Sequence, residues 1–133
     1  MITRLESLVD AFAHLNGMLD PFSRAYKNRN PLLLKAFAEK HVRDEDGYRI
    51  FNSVASGYNN ALNDLQIKCS GKSHSKLQTT DTLRDLVKFF GSDGSATRGV
   101  KNFIRHALNR DDVYENTPLS FFVEDIEERK LGE

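Results

Sequence analysis

Apolar residues recur along this chain at helical spacing in one segment after another, and nowhere do they alternate convincingly in the period of a strand. The most regular segment is 96–110, ATRGVKNFIRHALNR. There Val100, Phe103, Ile104, Ala107 and Leu108 fall at i, i+3, i+4, i+7 and i+8 and share one side of a helix. It is the helix around which the rest of the chain is expected to be arranged. Its other side carries Arg98, Lys101, Asn102, Arg105, His106 and Asn109, and no carboxylate interrupts the run between Asp93 and Asp111. Unpaired cations side by side repel, so such a face either is hydrated or receives an anion.

The remaining segments are read the same way. Thr3 and Glu6 make a capping box, and Leu5, Leu8, Val9, Phe12, Leu15 and Leu19 form the apolar stripe of a first helix that Asp20-Pro21 ends. His14, beside that stripe, reads as a hydrogen-bonded structural histidine. Residues 21–30 form a connector, a turn or a fragment of helix. Asn30-Pro31 reads as N-cap and first residue of a second helix through Leu33, Leu34, Phe37, Ala38 and Val42, stopping at residues 43–47. A third helix is expected from about Tyr48 to Ile67, with Phe51, Val54, Ala55, Tyr58, Leu62 and Leu65 on one side. Gly57 inside it costs up to about 1 kcal/mol against Ala and indicates a neighbouring helix packed close. After a Ser/Lys/Gly loop over 68–76, a fourth helix starts at Asp81 or Thr82, buries Leu83, Leu86, Val87 and Phe90, and is capped by Gly91. The loop 92–95 feeds the central helix, whose free N–H groups add a partial positive end near Arg98. Asp111 and Asp112 close it. Thr117-Pro118 opens a last helix with Leu119, Phe122, Val123 and Ile126 inward and Glu124, Asp125, Glu127 and Glu128 outward. The sum is an all-α chain, residues 1–133 forming a single-domain bundle of five or six helices.

Composition narrows the setting. Hydrophobic content of 39% with 29% charge is that of a soluble globular protein, and no apolar run approaches the roughly 18–20 residues of a membrane span. No signal peptide is expected at the amino terminus, because Arg4, Glu6 and Asp10 fall among its apolar residues and give an amphipathic pattern. The single Cys69 has no disulfide partner and no companions at metal-ligand spacing, so a reducing compartment, the cytoplasm by default, with no metal and no cofactor is expected. The net charge of zero hides segregation. Residues 1–65 hold 8 Lys/Arg and 8 Asp/Glu, residues 66–110 hold 9 and 3, and residues 111–133 hold 2 and 8, or 0, +6 and −6. A local basic block is what phosphate contact requires, and the acidic segment could shield it; equally, the two blocks could neutralise each other across one fold.

Several short motifs fail on inspection. Asp44-x-Asp46-Gly47 has the look of a calcium loop, but its first and twelfth ligand positions would be Val42 and Ser53. Gly71-Lys72-Ser73 ends like a phosphate-binding loop whose earlier glycine is Gln66, and the Gly94/Gly99 pair has Val100 where the lysine belongs. Cys69 and His74 lack the orienting acid of a thiol–base pair.

Lys101-Asn102-Phe103-Ile104-Arg105-His106 resembles the signature of the HEPN superfamily, helical-bundle domains of prokaryotic defence and toxin systems, phage defence among them, and of some RNA-processing enzymes. The family pattern is an arginine, a polar residue such as asparagine, and a histidine four to six positions on. Ser56-Gly57-Tyr58-Asn59-Asn60-Ala61 and Phe89-Phe90-Gly91 are weaker echoes, so the likeness spans about half the chain and only its six-residue core carries chemistry. The resemblance implies a metal-independent endoribonuclease in which the 2′-hydroxyl attacks the adjacent phosphate, in a cleft between two domains of a homodimer. His106 would be the general acid or base, Asn102 a positioning group, and Lys101 would replace the motif arginine against the phosphate. An ammonium is a point charge where a guanidinium grips two oxygens, so a degenerate member that binds RNA without cleaving it is equally implied. Five positions between Lys101 and His106 turn about 140° around a helix, so the two flank a site instead of stacking.

The expected nucleic-acid contacts are Arg98, Arg105 and Arg110 on the central helix with Lys68, Lys72 and Lys76 in the basic block. The alternative is a non-enzymatic helical adaptor or inhibitor that docks a protein partner, or its own copy, through segregated basic and acidic faces, the acidic C-terminal segment among them. A DNA-binding helical module ranks behind both, because the approach turn GSDGSAT is long for a helix-turn-helix.

Overall fold

The computed structural model describes the backbone of residues 2–132 and the side chains of residues 2–126. The order is α1 (Arg4–Leu15), α2 (Arg24–Asn28), α3 (Val54–Cys69), α4 (Leu83–Phe89), α5 (Gly94–Leu108) and α6 (Phe121–Gly132), with no strand among the described residues. The all-α bundle is therefore what this chain forms, and no described helix is long and apolar enough to cross a membrane.

The centre of the bundle is α1, not α5. Seven of its twelve residues are buried, against Thr97, Val100 and Ile104 in α5, and it touches α3, α5 and α6. Its capping box forms as the sequence requires: Glu6 N–H donates to the Thr3 hydroxyl at 3.0 Å and Thr3 N–H to the Glu6 carboxylate at 2.9 Å. Leu5, Leu8, Val9 and Phe12 then meet Ala61 and Leu65 of α3, Leu86 and Val87 of α4, Val100 and Ile104 of α5 and Phe122 of α6 in one core. Ser7 and Thr97 are buried and return their hydroxyls to the backbone carbonyls of Arg4 and Asp93, so neither is left unsatisfied.

Three expectations give way. The first helix stops at Leu15, because Asn16 caps it, Gly17 turns with φ +89° and the Ser23 hydroxyl donates to the Gly17 carbonyl at 2.5 Å. Leu19, expected inside, is 81% exposed. The second helix expected from Asn30-Pro31 to Val42 does not form. The connector before it carries the short α2, which ends in left-handed Arg29, and Leu33 is left-handed as well, a conformation no helix interior accepts. Residues 30–53 instead make an irregular arm closed by bridges Lys35↔Tyr48 and Arg43↔Arg49. Buried Asn30 holds it: its amide donates to the carbonyls of Leu34 and Arg49, each at 2.9 Å, and its oxygen accepts from Leu34 N–H at 2.9 Å. Third, α3 begins at Val54 behind the N-cap Ser53, six residues later than expected, so Phe51 is buried from the arm while Val54 and Ala55 face solvent.

Gly57 does mark a close approach, but to backbone and not to a helix. A Cβ there would stand 1.9 Å from the Arg29 carbonyl oxygen and 3.3 Å from the Pro31 ring. The last helix likewise starts at Phe121, and Leu119, Phe122 and Val123 are buried as expected. Glu124 is exposed, whereas Asp125 turns back to accept Arg4 N–H at 3.0 Å; the side chains of Glu127 and Glu128 lie outside the described residues. A Gly57→Ala variant should lose about 2–3 kcal/mol in urea unfolding, because the arm and α3 must separate to admit the methyl. Gly99→Ala, on the open face of α5, should gain up to about 1 kcal/mol.

Candidate nucleic-acid interface

The cationic side of α5 exists, but the fold uses part of it. Arg105 Nε donates to the Val113 carbonyl at 2.6 Å and its guanidinium lies 5.0 Å from the Tyr114 ring centre, so this side chain ties α5 to the segment after it. Arg110 lies beyond the helix, which ends at left-handed Asn109, and makes a two-point contact with Asp112 at 2.7 and 2.8 Å while lying 5.1 Å from the Phe121 ring centre. Arg98, Asn102 and His106 are exposed and Lys101 half-buried, with no ion pair to Arg98, Lys101 or His106 among the described residues. The positive end expected near Arg98 is already answered, since the Asp93 carboxylate caps α5 by accepting from the N–H groups of Ser95 and Ala96 at 3.1 and 3.2 Å. His14 meets the Phe103 ring at 5.5 Å between centres; ring packing takes the place of the expected hydrogen bond.

The acidic segment after residue 110 neutralises its own chain in part. Glu124 pairs with Arg4 at 3.2 Å, Glu115 with Arg84 at 3.7 Å, and Asp112 with Arg110. Of the cations expected at the site, those whose side chains have neither an ion pair nor a hydrogen bond among the described residues are Arg98 and Lys101 on α5 and Lys72 and Lys76 in the loop after α3. Lys68 is withdrawn from the set. It is 8% exposed, its ammonium 2.6 Å from both oxygens of Asp64 and 5.4 and 5.5 Å from the ring centres of Phe89 and Phe90.

Beside Lys68 opens a groove of about 600 Å³ that the sequence pattern did not reveal. One wall is the exposed flank of α3, with Asn60, Asn63, Asp64 and Ile67. Lys72 to Ser75 of the following loop, Phe89 of α4, and Leu34, Phe37 and Arg49 of the arm also line it. Phe37 is 87% exposed and stands perpendicular to His41 at 4.6 Å, and Phe89 is 48% exposed and perpendicular to Phe90 at 5.4 Å. Asp64 is the one carboxylate among the lining residues, and it is paired with Lys68. Arg49, over the Phe51 ring at 4.6 Å, and Lys72 keep unpaired positive charge there. Phe37 was expected in the buried stripe of a helix; its exposure follows from the left-handed turn at Leu33 and could not be read from periodicity. Lys76, with φ +69°, is exposed outside the groove lining.

The side chains that looked like metal or thiol chemistry serve the fold. Burial pushes the Cys69 thiol up to about 12, so it carries no thiolate near neutral pH. Asp44 organises the arm's turn: its Oδ1 accepts from the N–H groups of Asp46 and Tyr48, each at 3.0 Å, and its Oδ2 from the Asn28 amide at 2.8 Å. No protein-family model, curated protein or solved structure matches this chain.

Acid stability follows from three carboxylates. Hydrogen bonds from Ser95 and Ala96 hold Asp93 below the ordinary 3.8, and Arg110 does the same to Asp112. At Asp44 desolvation pushes upward and is outweighed by Asn28, Tyr48, Asp46 and Arg24. A depressed folded-state value means stabilisation that is complete above 3.8 and lost as pH falls through the folded-state values. Asp93→Asn should therefore be less stable than the parent in denaturant titrations near neutral pH, and the two midpoints should converge in strong acid.

Proposed function

We propose that this protein is a non-cleaving RNA-binding helical domain whose contact surface is the groove between α3, α4 and the arm. Of the two activities the HEPN resemblance implies, binding is the better supported. The observation that carries the reading is the groove's lining: unpaired Arg49 and Lys72, the amides of Asn60 and Asn63, and the open rings of Phe37 and Phe89 around a carboxylate already neutralised by Lys68. Cations answer phosphates, amides offer donors and acceptors to bases and 2′-hydroxyls, and exposed rings offer stacking surface. Lys101, Asn102 and His106 stand apart on an α5 face that a single chain leaves open, so cleavage there requires a second copy to close the site.

Purified protein incubated with a fluorescent RNA should retard it and leave it intact. Lys72→Ala should weaken binding and lower the slope of log K against log salt by about one, while His106→Ala binds as the parent does. Cleavage that disappears in His106→Ala would replace this proposal with a HEPN-type nuclease.

A second reading, an adaptor, rests on a different surface. Met18, Leu19, Pro21, Tyr26, Val54 and Tyr58 line an apolar depression rimmed by Lys27 and Arg29, and nearby Phe22 is 85% exposed. If this face closes on a second copy of the chain, sedimentation will report a dimer that Leu19→Asp converts to monomer. A monomer at every concentration removes the self-docking form of that reading.

A further inference from the structure

We infer that the groove selects single-stranded over double-stranded RNA, with bases stacking on Phe37 and Phe89; this rests on the RNA-binding reading above and specifies its substrate. Phe37 projects from the arm and Phe89 from the end of α4, so two aromatic surfaces contributed by segments 52 positions apart in sequence line one groove. Each ring is held at right angles to an aromatic neighbour, His41 or Phe90, which restrains its orientation without closing it to solvent. A duplex hides its base faces and presents only phosphate and groove edges, and A-form geometry leaves its deep major groove closed to side chains. A duplex therefore has nothing to offer these rings. Unpaired bases do, and any base serves, since every one has a π-face.

The cations fit the same ligand. Arg49 on the arm and Lys72 in the loop after α3 line the groove with the rings, and a strand whose bases stack inward leaves its phosphates to these two side chains. Asn60 and Asn63 lie one turn apart or less on α3; the Asn60 amide donates to the Ser56 carbonyl at 2.9 Å and so offers the groove chiefly its oxygen, while the Asn63 amide has no hydrogen bond among the described residues.

The test uses the full chain and two fluorescent probes, an unstructured oligouridylate and a perfectly paired RNA duplex, in anisotropy titrations at fixed salt. The parent should bind the single strand about tenfold or more tightly than the duplex. Phe37→Leu and Phe89→Leu should each weaken single-strand binding about fivefold or more, as loss of one stacked base predicts, and should leave the salt slope unchanged. Phe22→Leu, an exposed ring outside the groove, is the control and should bind as the parent does. Phe89 touches Phe90, so its variant is checked by circular dichroism, and Phe37 alone carries the test if Phe89→Leu unfolds. Equal affinity for both probes, or unchanged affinity in Phe37→Leu while Lys72→Ala weakens binding, overturns the single-strand inference and leaves RNA binding standing. No binding of either probe overturns both.

Discussion

An irregular stretch of 24 residues has to satisfy its backbone polar groups without the ladder of a helix or a sheet, and the arm over 30–53 meets that constraint with turn and bridge hydrogen bonds between backbone groups, pinned by a few side chains. Asn30 supplies three hydrogen bonds from a fully buried position, Asn28 and Asp44 join α2 to the turn, and Arg24 closes on Asp44 at 3.2 Å. Buried amide hydrogen bonds are worth most where water cannot replace them, so loss of Asn30 would take the donor from the Arg49 carbonyl and the acceptor from the Leu34 N–H, while the Leu34 carbonyl keeps the Arg49 N–H. The groove depends on this, since Leu34, Phe37 and Arg49 reach it only from an arm held in place. Gly57 belongs to the same arrangement: α3 lies against the Arg29 carbonyl because no side chain intervenes.

Around that arm the bundle is conventional in its physics. A densely buried α1 gathers α3, α5 and α6, and the free N–H groups at the start of α4 are met by the chain before α6, Leu83 donating to Thr117 and Arg84 to Glu115, each at 2.9 Å. The acidic segment has a structural use here. It returns to Arg4, Arg84 and Arg110 and so removes two arginines of the basic block from the pool that an anionic partner meets. Among the cations left unpaired are Arg98 and Lys101 on the α5 face and Arg49 and Lys72 at the α3 groove. The groove offers aromatic and amide groups beside its charge, and that combination places the binding proposal there.

Local signals carried much of the fold. The Thr3/Glu6 box and the 3.6-residue stripes of α1, α4 and α5 depend on neighbours three and four positions away, so the sequence alone specified them, as it did the all-α class. It also marked Gly57 as a place of close packing and Cys69 as chemically quiet. Tertiary structure decided the rest, because the relevant partners are distant in sequence. Pro31 and the apolar residues after it match a helix start, yet contacts of Asn30 with Arg49 and of Gly57 with Arg29 outweigh that local preference. Whether a lysine is free cannot be read from its position either. Lys68 and Lys72 are four residues apart in one basic run; Asp64, one helical turn before Lys68, is a local partner, but only the fold brings Phe89 and Phe90 to that ammonium and buries it while Lys72 stays exposed at the groove.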